Sequence, residues 1–373
     1  MSAADFCIVG GGVIGLMSAR ELAMAGASVT VLESGDCGQQ ASWAAGGIVS
    51  PLYPWRYPAP VTALANLAQS VYPSLCAQLL AETGIDPQWQ QSGLLLLAMA
   101  DQEDALAWAT AHGRTVQRWS GGDVAGCQPD LCADVNEAIC FPDVAQVRNP
   151  RLLKALRADV MKRGVRVLEH SPATALVANA AGTAIVAAQS VTERVTAEHF
   201  VVCAGAWSAA LLVPFGIQLP IAPVRGQMLM FAPHAHHLRR IVLRDGRYLI
   251  PRRDGRIICG STMEHCGFEL RTTDEARTSL WQSAIAMMPG LREVPVELQW
   301  AGLRPSSPDG IPFIGRLPTL ANVWLNAGHY RNGIVLAPAS ARLLVDLLLN
   351  RPSAIFQEPY RITSTRVTAV SNA

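Results

Sequence analysis

The sequence predicts an α/β protein in which a nucleotide-binding βαβ unit opens the chain and an antiparallel sheet is assembled from segments farther on. Three observations carry this expectation. Residues 6–33 read FCIVGGGVIGLMSARELAMAGASVTVLE, helix and strand signals then alternate without forming two consecutive blocks, and residues 228–261 alternate around a turn at Arg253, Asp254 and Gly255.

In the opening unit a short apolar run, Phe6 to Val9, leads into Gly10, Gly12 and Gly15 at G-x-G-x-x-G spacing. The three glycines do different things. Gly10 allows the tight turn, Gly12 lets a pyrophosphate approach the backbone, and Gly15 lets the helix pack closely on the strand. The phosphate charge then meets a helix N-terminus. Glu33 ends the second strand, 18 residues after Gly15, where it accepts hydrogen bonds from the two ribose hydroxyls. Its charge would repel a 2′-phosphate, which argues against NADP.

After Glu33 comes a small-residue loop, GQQASWAAGGIVS at 38–50, then PLYPWRYPAP at 51–60. Proline at four of those ten positions forbids regular structure there. Residues 61–82 read as a helix and 92–99 as a strand. A helix is expected over 149–163, with strands at 165–169 and 200–204. The closing helix is expected over 336–349, where Pro338 is tolerated because it falls in the first turn.

At 373 residues the chain is too long for one simple core, so two domains or a discontinuous pair are expected. Net charge is +1 with 16% charged residues and no block of like charge, so a nucleic-acid partner is not expected. The longest apolar run, 94–100, is far short of the roughly 20 residues of a membrane span. Residues 1–5 lack the positive region of a secretory signal. Nine cysteines without C-x-x-C spacing point to free thiols in a reducing cytoplasm. The HAHH run at His234, His236 and His237 has no cysteine or carboxylate partner spaced nearby, so no metal site is expected, and Cys127, Cys132 and Cys140 read as packing residues.

Two segments near the C-terminus, WAGLRPSSPDGIPFIG at 300–315 and GHYRNGIVLAP at 328–338, set Arg304 and Arg331 in apolar surroundings. A surface loop arginine is the ordinary alternative. A buried guanidinium needs an anion, and a substrate carboxylate matches its planar fork.

Together with the glycine motif and Glu33, the stretch ASWAAGG at 41–47, RYLIPR at 247–252, GSTM at 260–263, WAGLRP and GHYRNGIVLAP resemble the FAD-dependent D-amino-acid-oxidase superfamily, most closely glycine oxidases of the ThiO type. The resemblance runs from about residue 5 to about 350. It implies a Rossmann-like FAD-binding domain of the GR2/DAO type interleaved with an antiparallel-sheet substrate domain. The flavin domain is then expected at 1–80, 141–215 and 305–373, and the substrate domain at 81–140 and 216–304. It also implies non-covalent FAD, a homo-oligomer, and a small amino-acid substrate with dioxygen as co-reactant.

By the same resemblance, FAD contacts fall on Gly10, Gly12, Val13, Ile14, Gly15, Glu33, Ser34, Ala41, Ser42, Gly46, Gly47, Ile48, Ala173 and Gly205. The run His329, Tyr330, Arg331, Asn332, Gly333, Ile334 and Val335 completes them. Arg304 clamps the substrate carboxylate, Tyr248 adds a hydroxyl and Arg331 helps hold the anion, with Met263 and Ile48 also at the substrate. The implied reaction is oxidative deamination of glycine, sarcosine, D-alanine or D-proline to an oxo acid, ammonia or amine, and hydrogen peroxide, serving the thiazole branch of thiamine biosynthesis. The alternative is a D-amino-acid or N-methyl amino-acid dehydrogenase that passes electrons to a quinone or partner protein. The sequence departs from the glycine-oxidase pattern at Gly246, where a histidine is expected, and at Tyr53, Trp55 and Tyr57, which form a lid, a packed loop or a subunit contact.

Overall fold

The computed structural model describes residues 4–363, Arg366 and Thr368–Ala369. The outermost parts of the expected flavin segments, 1–3, 364–365, 367 and 370–373, lie outside them. Two large sheets dominate. The first has six strands in the order Phe313–Arg316, Val323–Ala327, Ala197–Val202, Ala4–Val9, Val29–Leu32 and Arg166–Leu168. All its neighbours run parallel except the first pair. Its central strands are buried on both faces, which explains why they read as unbroken apolar runs such as CIV and VVC.

The Val13–Met24 helix returns the chain between the first two strands and packs through Leu16, Ala19 and Leu22, all without solvent exposure. Gly15 makes this possible, because a Cβ there would stand 1.8 Å from the Gly10 carbonyl oxygen. The Ala59–Thr83, Asn149–Lys162 and Gly333–Leu348 helices complete this layer. Inside it the buried Asp159 accepts from Arg20 Nε at 3.0 Å and Arg163 Nε at 2.9 Å.

The second sheet has eight strands: Val296–Ser306, Ala222–Phe231, Ile257–Gly260, Arg247–Pro251, Ile241–Arg244, Leu94–Leu97, Glu137–Phe141 and Gln117–Ser120. It is antiparallel except where Ile241–Arg244 runs parallel to Leu94–Leu97, a join between segments distant in sequence that no hairpin signal announces. The Arg253–Gly255 turn lies, as expected, between Arg247–Pro251 and Ile257–Gly260.

Two expectations about proline need correction. The closing helix begins at Gly333, so Pro338 lies inside it and not in its first turn. Proline cannot donate to the carbonyl four residues back, that of Ile334. The fully buried Tyr72 hydroxyl donates to that carbonyl instead. Tyr72 comes from the Ala59–Thr83 helix, which itself contains Pro73 and begins inside the proline-rich segment, where Pro60 occupies the first turn. Residues 54–56 of that segment also form one turn of 3₁₀ helix.

Candidate active site

One cavity of about 610 Å³ runs from the glycine-rich turn to the face of the eight-stranded sheet. Its wall includes Gly10, Gly12, Val13, Ile14, Glu33, Ser34, Ala41, Ser42, Gly46, Gly47, Ile48, Ala173 and Gly205, together with Tyr248, Arg304 and the run from His329 to Ile334. Three of the expected residues stand elsewhere. Gly15 faces the strand beneath its helix, and Val335 is 1% exposed in the core. Met263 is exposed outside the wall, its sulfur accepting from Tyr330 Oη at 3.0 Å.

At the glycine turn, Gly10 adopts φ +111°, and a Cβ there would stand 2.4 Å from the Cys203 carbonyl oxygen. This turn aims the N-terminus of the Val13–Met24 helix into the cavity. Val13 N donates to Ser42 Oγ at 3.0 Å and Gly11 N to Glu33 Oε2 at 2.7 Å. The N–H groups of Gly12 and Ile14 have no protein acceptor among the described residues. They sit at the positive end of the helix dipole, where a pyrophosphate is stabilised. Glu33 Oε1 already accepts from Ser34 Oγ and Gly35 N, so Oε2 is the freer oxygen. Deeper in the wall, Asn332 Nδ2 and Asn326 Oδ1 are buried polar atoms without a protein partner. A dinucleotide with an anionic centre and a polar ring system fits this donor set.

The small-residue loop is held against the sheet by three side chains. Asn149 Nδ2 donates to the carbonyls of Ser42 at 2.8 Å and Trp43 at 2.6 Å. Trp300 Nε1 donates to Ala44 O at 3.0 Å. Arg252 Nη2 donates to Gly46 O at 2.8 Å while its Nη1 donates to Gln146 Oε1 and Val147 O. Burial pulls the Arg252 guanidinium down to about 10, with Arg148 adding to the effect, yet it stays cationic at neutral pH.

The far end of the cavity is a depression in the eight-stranded sheet. Cross-strand pairing sets Trp300, Met228, Gly260 and Tyr248 in one row. Gly260 lacks the Cβ that would stand 2.7 Å from the Tyr248 ring, so the ring lies across it and its hydroxyl points at Met228 Sδ, 3.9 Å away. In the next rows Gly302 pairs with Gly226 and Arg304 with Val224. The Arg304 guanidinium folds over Gly226, where a Cβ would be 2.1 Å from Nη2. These glycines create the hollow, and the alternation of strand faces brings Arg304, Met228 and Tyr248 into it together.

Arg304 donates to Thr262 O at 3.1 Å and Ser261 Oγ at 2.7 Å but pairs with no carboxylate among the described residues. Burial lowers its proton affinity, Tyr248 opposes that effect and nearby Arg331 adds to it. Arg331 likewise has no acidic partner among the described residues. A pair of cations left so in a walled cavity is stabilised by an anion between them. Among the described residues Glu33 is the one carboxylate on the cavity wall. His329 is 1% exposed, bonded to Ser340 Oγ at 3.0 Å, and pushed by burial down to about 3, so its imidazole is neutral.

Sequence reasoning missed Gly226, Met228, Ser261 and Asn326 as wall residues. Ser261 lay within the GSTM motif, and Gly226 and Met228 alternate on one strand face, but their facing Arg304 depends on a register between segments about 80 residues apart.

A family model described as FAD dependent oxidoreductase matches residues 5–347. The chain is 47% identical to a glycine oxidase of Pseudomonas aeruginosa over 95% of this chain and 97% of the relative. It is 34% identical to a bifunctional protein ThiO/ThiG of Trichormus variabilis over 94% of this chain and 53% of that longer protein. The crystal structure of glycine oxidase from Geobacillus kaustophilus superposes with a TM-score of 0.92 at 29% identity, covering 97% of this chain and 99% of that one.

Proposed function

The chain belongs to the FAD-dependent oxidoreductase family, and from that premise we propose that it oxidises glycine and other small amino acids, sarcosine, D-alanine and D-proline among them, to an oxo acid, ammonia or amine, and hydrogen peroxide. The observation that carries this reading is the Arg304 guanidinium, unpaired with any carboxylate among the described residues, sharing one cavity with Tyr248 and the glycine-rich turn.

FAD, when bound, supplies a two-electron acceptor. The glycine turn and the Val13–Met24 N-terminus would hold its pyrophosphate, Glu33 Oε2 its ribose, and Asn332 and the 329–334 backbone its ring system. The six-stranded sheet and its helices serve as the flavin domain, and the eight-stranded sheet as the substrate domain. Arg304 clamps the substrate carboxylate, Tyr248 adds a hydroxyl, and Arg331 supplies a second positive charge. Both cations penalise an ammonium beside them, so they favour the neutral amine that oxidation requires. Among the described residues the wall offers neither a free carboxylate nor a basic imidazole to take a Cα proton: Glu33 is committed to Gly11, Ser34 and Gly35, and His329 to Ser340. Orientation by the clamp therefore replaces general-base catalysis, and removing rotational freedom in advance contributes several kcal/mol.

A place in the thiazole branch of thiamine biosynthesis, a cytoplasmic location and a homo-oligomer complete the proposal. The first draws on likeness to the ThiO/ThiG protein and the second on nine free thiols, while the homo-oligomer follows from the family resemblance alone. No helix of the described residues is long and apolar enough to cross a membrane.

The test is anaerobic mixing of the yellow holoenzyme with glycine, sarcosine, D-alanine and D-proline, followed by admission of air. Bleaching of the flavin band and fast peroxide-forming recovery are expected. Slow recovery would replace dioxygen with another acceptor, and no bleaching by any of the four would overturn the small-amine reading.

A further inference from the structure

We infer that Ser261 is a further member of the carboxylate clamp, its hydroxyl donating to the same anion that Arg304 holds. The inference rests on the proposed reading of the cavity as a carboxylate site. Ser261 follows Gly260, the residue over which the Tyr248 ring lies, so the chain emerges at the floor of the hollow, and Ser261 is part of its wall. Its backbone is fixed from both sides. Arg247 Nη1 donates to Ser261 O, and Arg304 Nη1 donates to the next carbonyl, Thr262 O, at 3.1 Å.

The following residues tie this segment into the sheet. Thr262 Oγ1 donates to Glu264, Gln227 N donates to Thr262 Oγ1 at 2.8 Å, and Arg225 Nη2 donates to Glu264 Oε2 at 2.6 Å. The Ser261 side chain is thus presented at a set position.

A hydroxyl has one proton to donate and two lone pairs, whereas a guanidinium can only donate. Ser261 Oγ accepts from Arg304 Nη2 at 2.7 Å, so its own proton must point to some other acceptor. Among the described residues none receives it. The donor therefore stands beside an unpaired cation on a cavity wall, and one group satisfies both: a carboxylate oxygen. Charge on Arg304 polarises the hydroxyl and strengthens that bond.

Titration of the holoenzyme with acetate, followed by the change in flavin absorption, tests the assignment without turnover. Wild type is expected to bind acetate, and Ser261→Ala to bind it roughly tenfold to a hundredfold more weakly with unchanged FAD affinity. Equal acetate affinity in the two proteins would overturn the role of Ser261, whereas absence of any acetate effect in wild type would overturn the carboxylate site itself. Direct contact is separated from mere orientation of the guanidinium by repeating the comparison in an Arg304→Lys background. A Ser261→Ala penalty of at least severalfold is expected to persist there, and its disappearance would reduce Ser261 to a support for Arg304.

Discussion

Tyr53 Oη accepts a hydrogen bond from Gly246 N at 3.1 Å, joining the proline-rich loop to the hairpin turn that leads into Tyr248. These are the two places at which the sequence departs from the glycine-oxidase pattern, and they touch. Gly246 has φ +75°, a backbone state suited to glycine, and its N–H needs an acceptor once the turn is made. Tyr53 supplies it, with Arg56 stacked 4.0 Å over its ring and Trp55 packed edge-on against it. The loop is thereby fastened to the substrate end of the cavity, which Ser50 and Leu52 help to line.

Tyr53→Phe is expected to leave the Gly246 N–H without its acceptor and to cost about 1 kcal/mol of stability. Because the loop borders the hollow, KM for glycine should rise severalfold while FAD content stays the same. Thermal unfolding and steady-state kinetics check this, and a change in neither would detach the loop from the site.

Arg304→Ala is expected to keep its FAD and to lose roughly a hundredfold or more in kcat/KM, chiefly through KM, because a buried anion loses its charged partner. A variant purified without flavin would remove Arg304 from the substrate clamp and assign it to cofactor binding.

Gly226→Ala separates position from charge. The added methyl collides with the end of a flexible side chain, so the guanidinium shifts and the fold is little affected. Thermal stability within a few degrees of wild type, with kcat/KM down roughly tenfold, is the expected outcome. Unchanged kinetics would show that Arg304 tolerates displacement.

Local signals made the N-terminal half of the flavin site legible. Gly10, Gly12, Gly15 and Glu33 lie within one βαβ unit, and their spacing alone encodes the turn, the helix and the acid. Arg304 was legible as an anion holder from its apolar flanks, but the role of Tyr248 came only with the family resemblance, because the meeting of the two depends on four strands aligning in register across gaps that no local pattern spans. Arg252 illustrates the remainder: its sequence neighbours announce a strand end, yet its contacts are Gly46 and Val147, each about a hundred residues or more away. Pro338 misled for a related reason. Its helix begins three residues earlier than expected, and the group that makes this tolerable, Tyr72, belongs to another helix.

That relation predicts a coupled pair. Tyr72→Phe leaves the Ile334 carbonyl buried and unpaired, at a cost of about 1–3 kcal/mol in urea unfolding. Pro338→Ala restores the helical N–H that this carbonyl lacks, so it should recover part of the loss in the Tyr72→Phe background. Strictly additive effects would mean that Tyr72 acts through packing alone.

Asp101 fixes the other end of the loop, accepting from Trp55 Nε1 at 2.6 Å and from Arg56 at 2.7 and 2.8 Å. Its hydrogen bond with Arg56 lowers its pKa to about 2 against the opposing effect of burial, with Trp55 contributing further. A carboxyl with a folded-state value below its unfolded value, about 3.9, contributes stability above that value and loses it as pH falls through the folded one. The contribution is therefore present above about pH 4 and lost as pH falls through about 2, and it is modest because the Arg56 side chain is half exposed to solvent. Asp101→Asn is accordingly expected to be less stable than wild type at pH 7 and to converge with it between pH 4 and 2. A difference independent of pH over that window would assign the loop's anchoring to packing of Trp55 on Phe141 and not to the Asp101 charge.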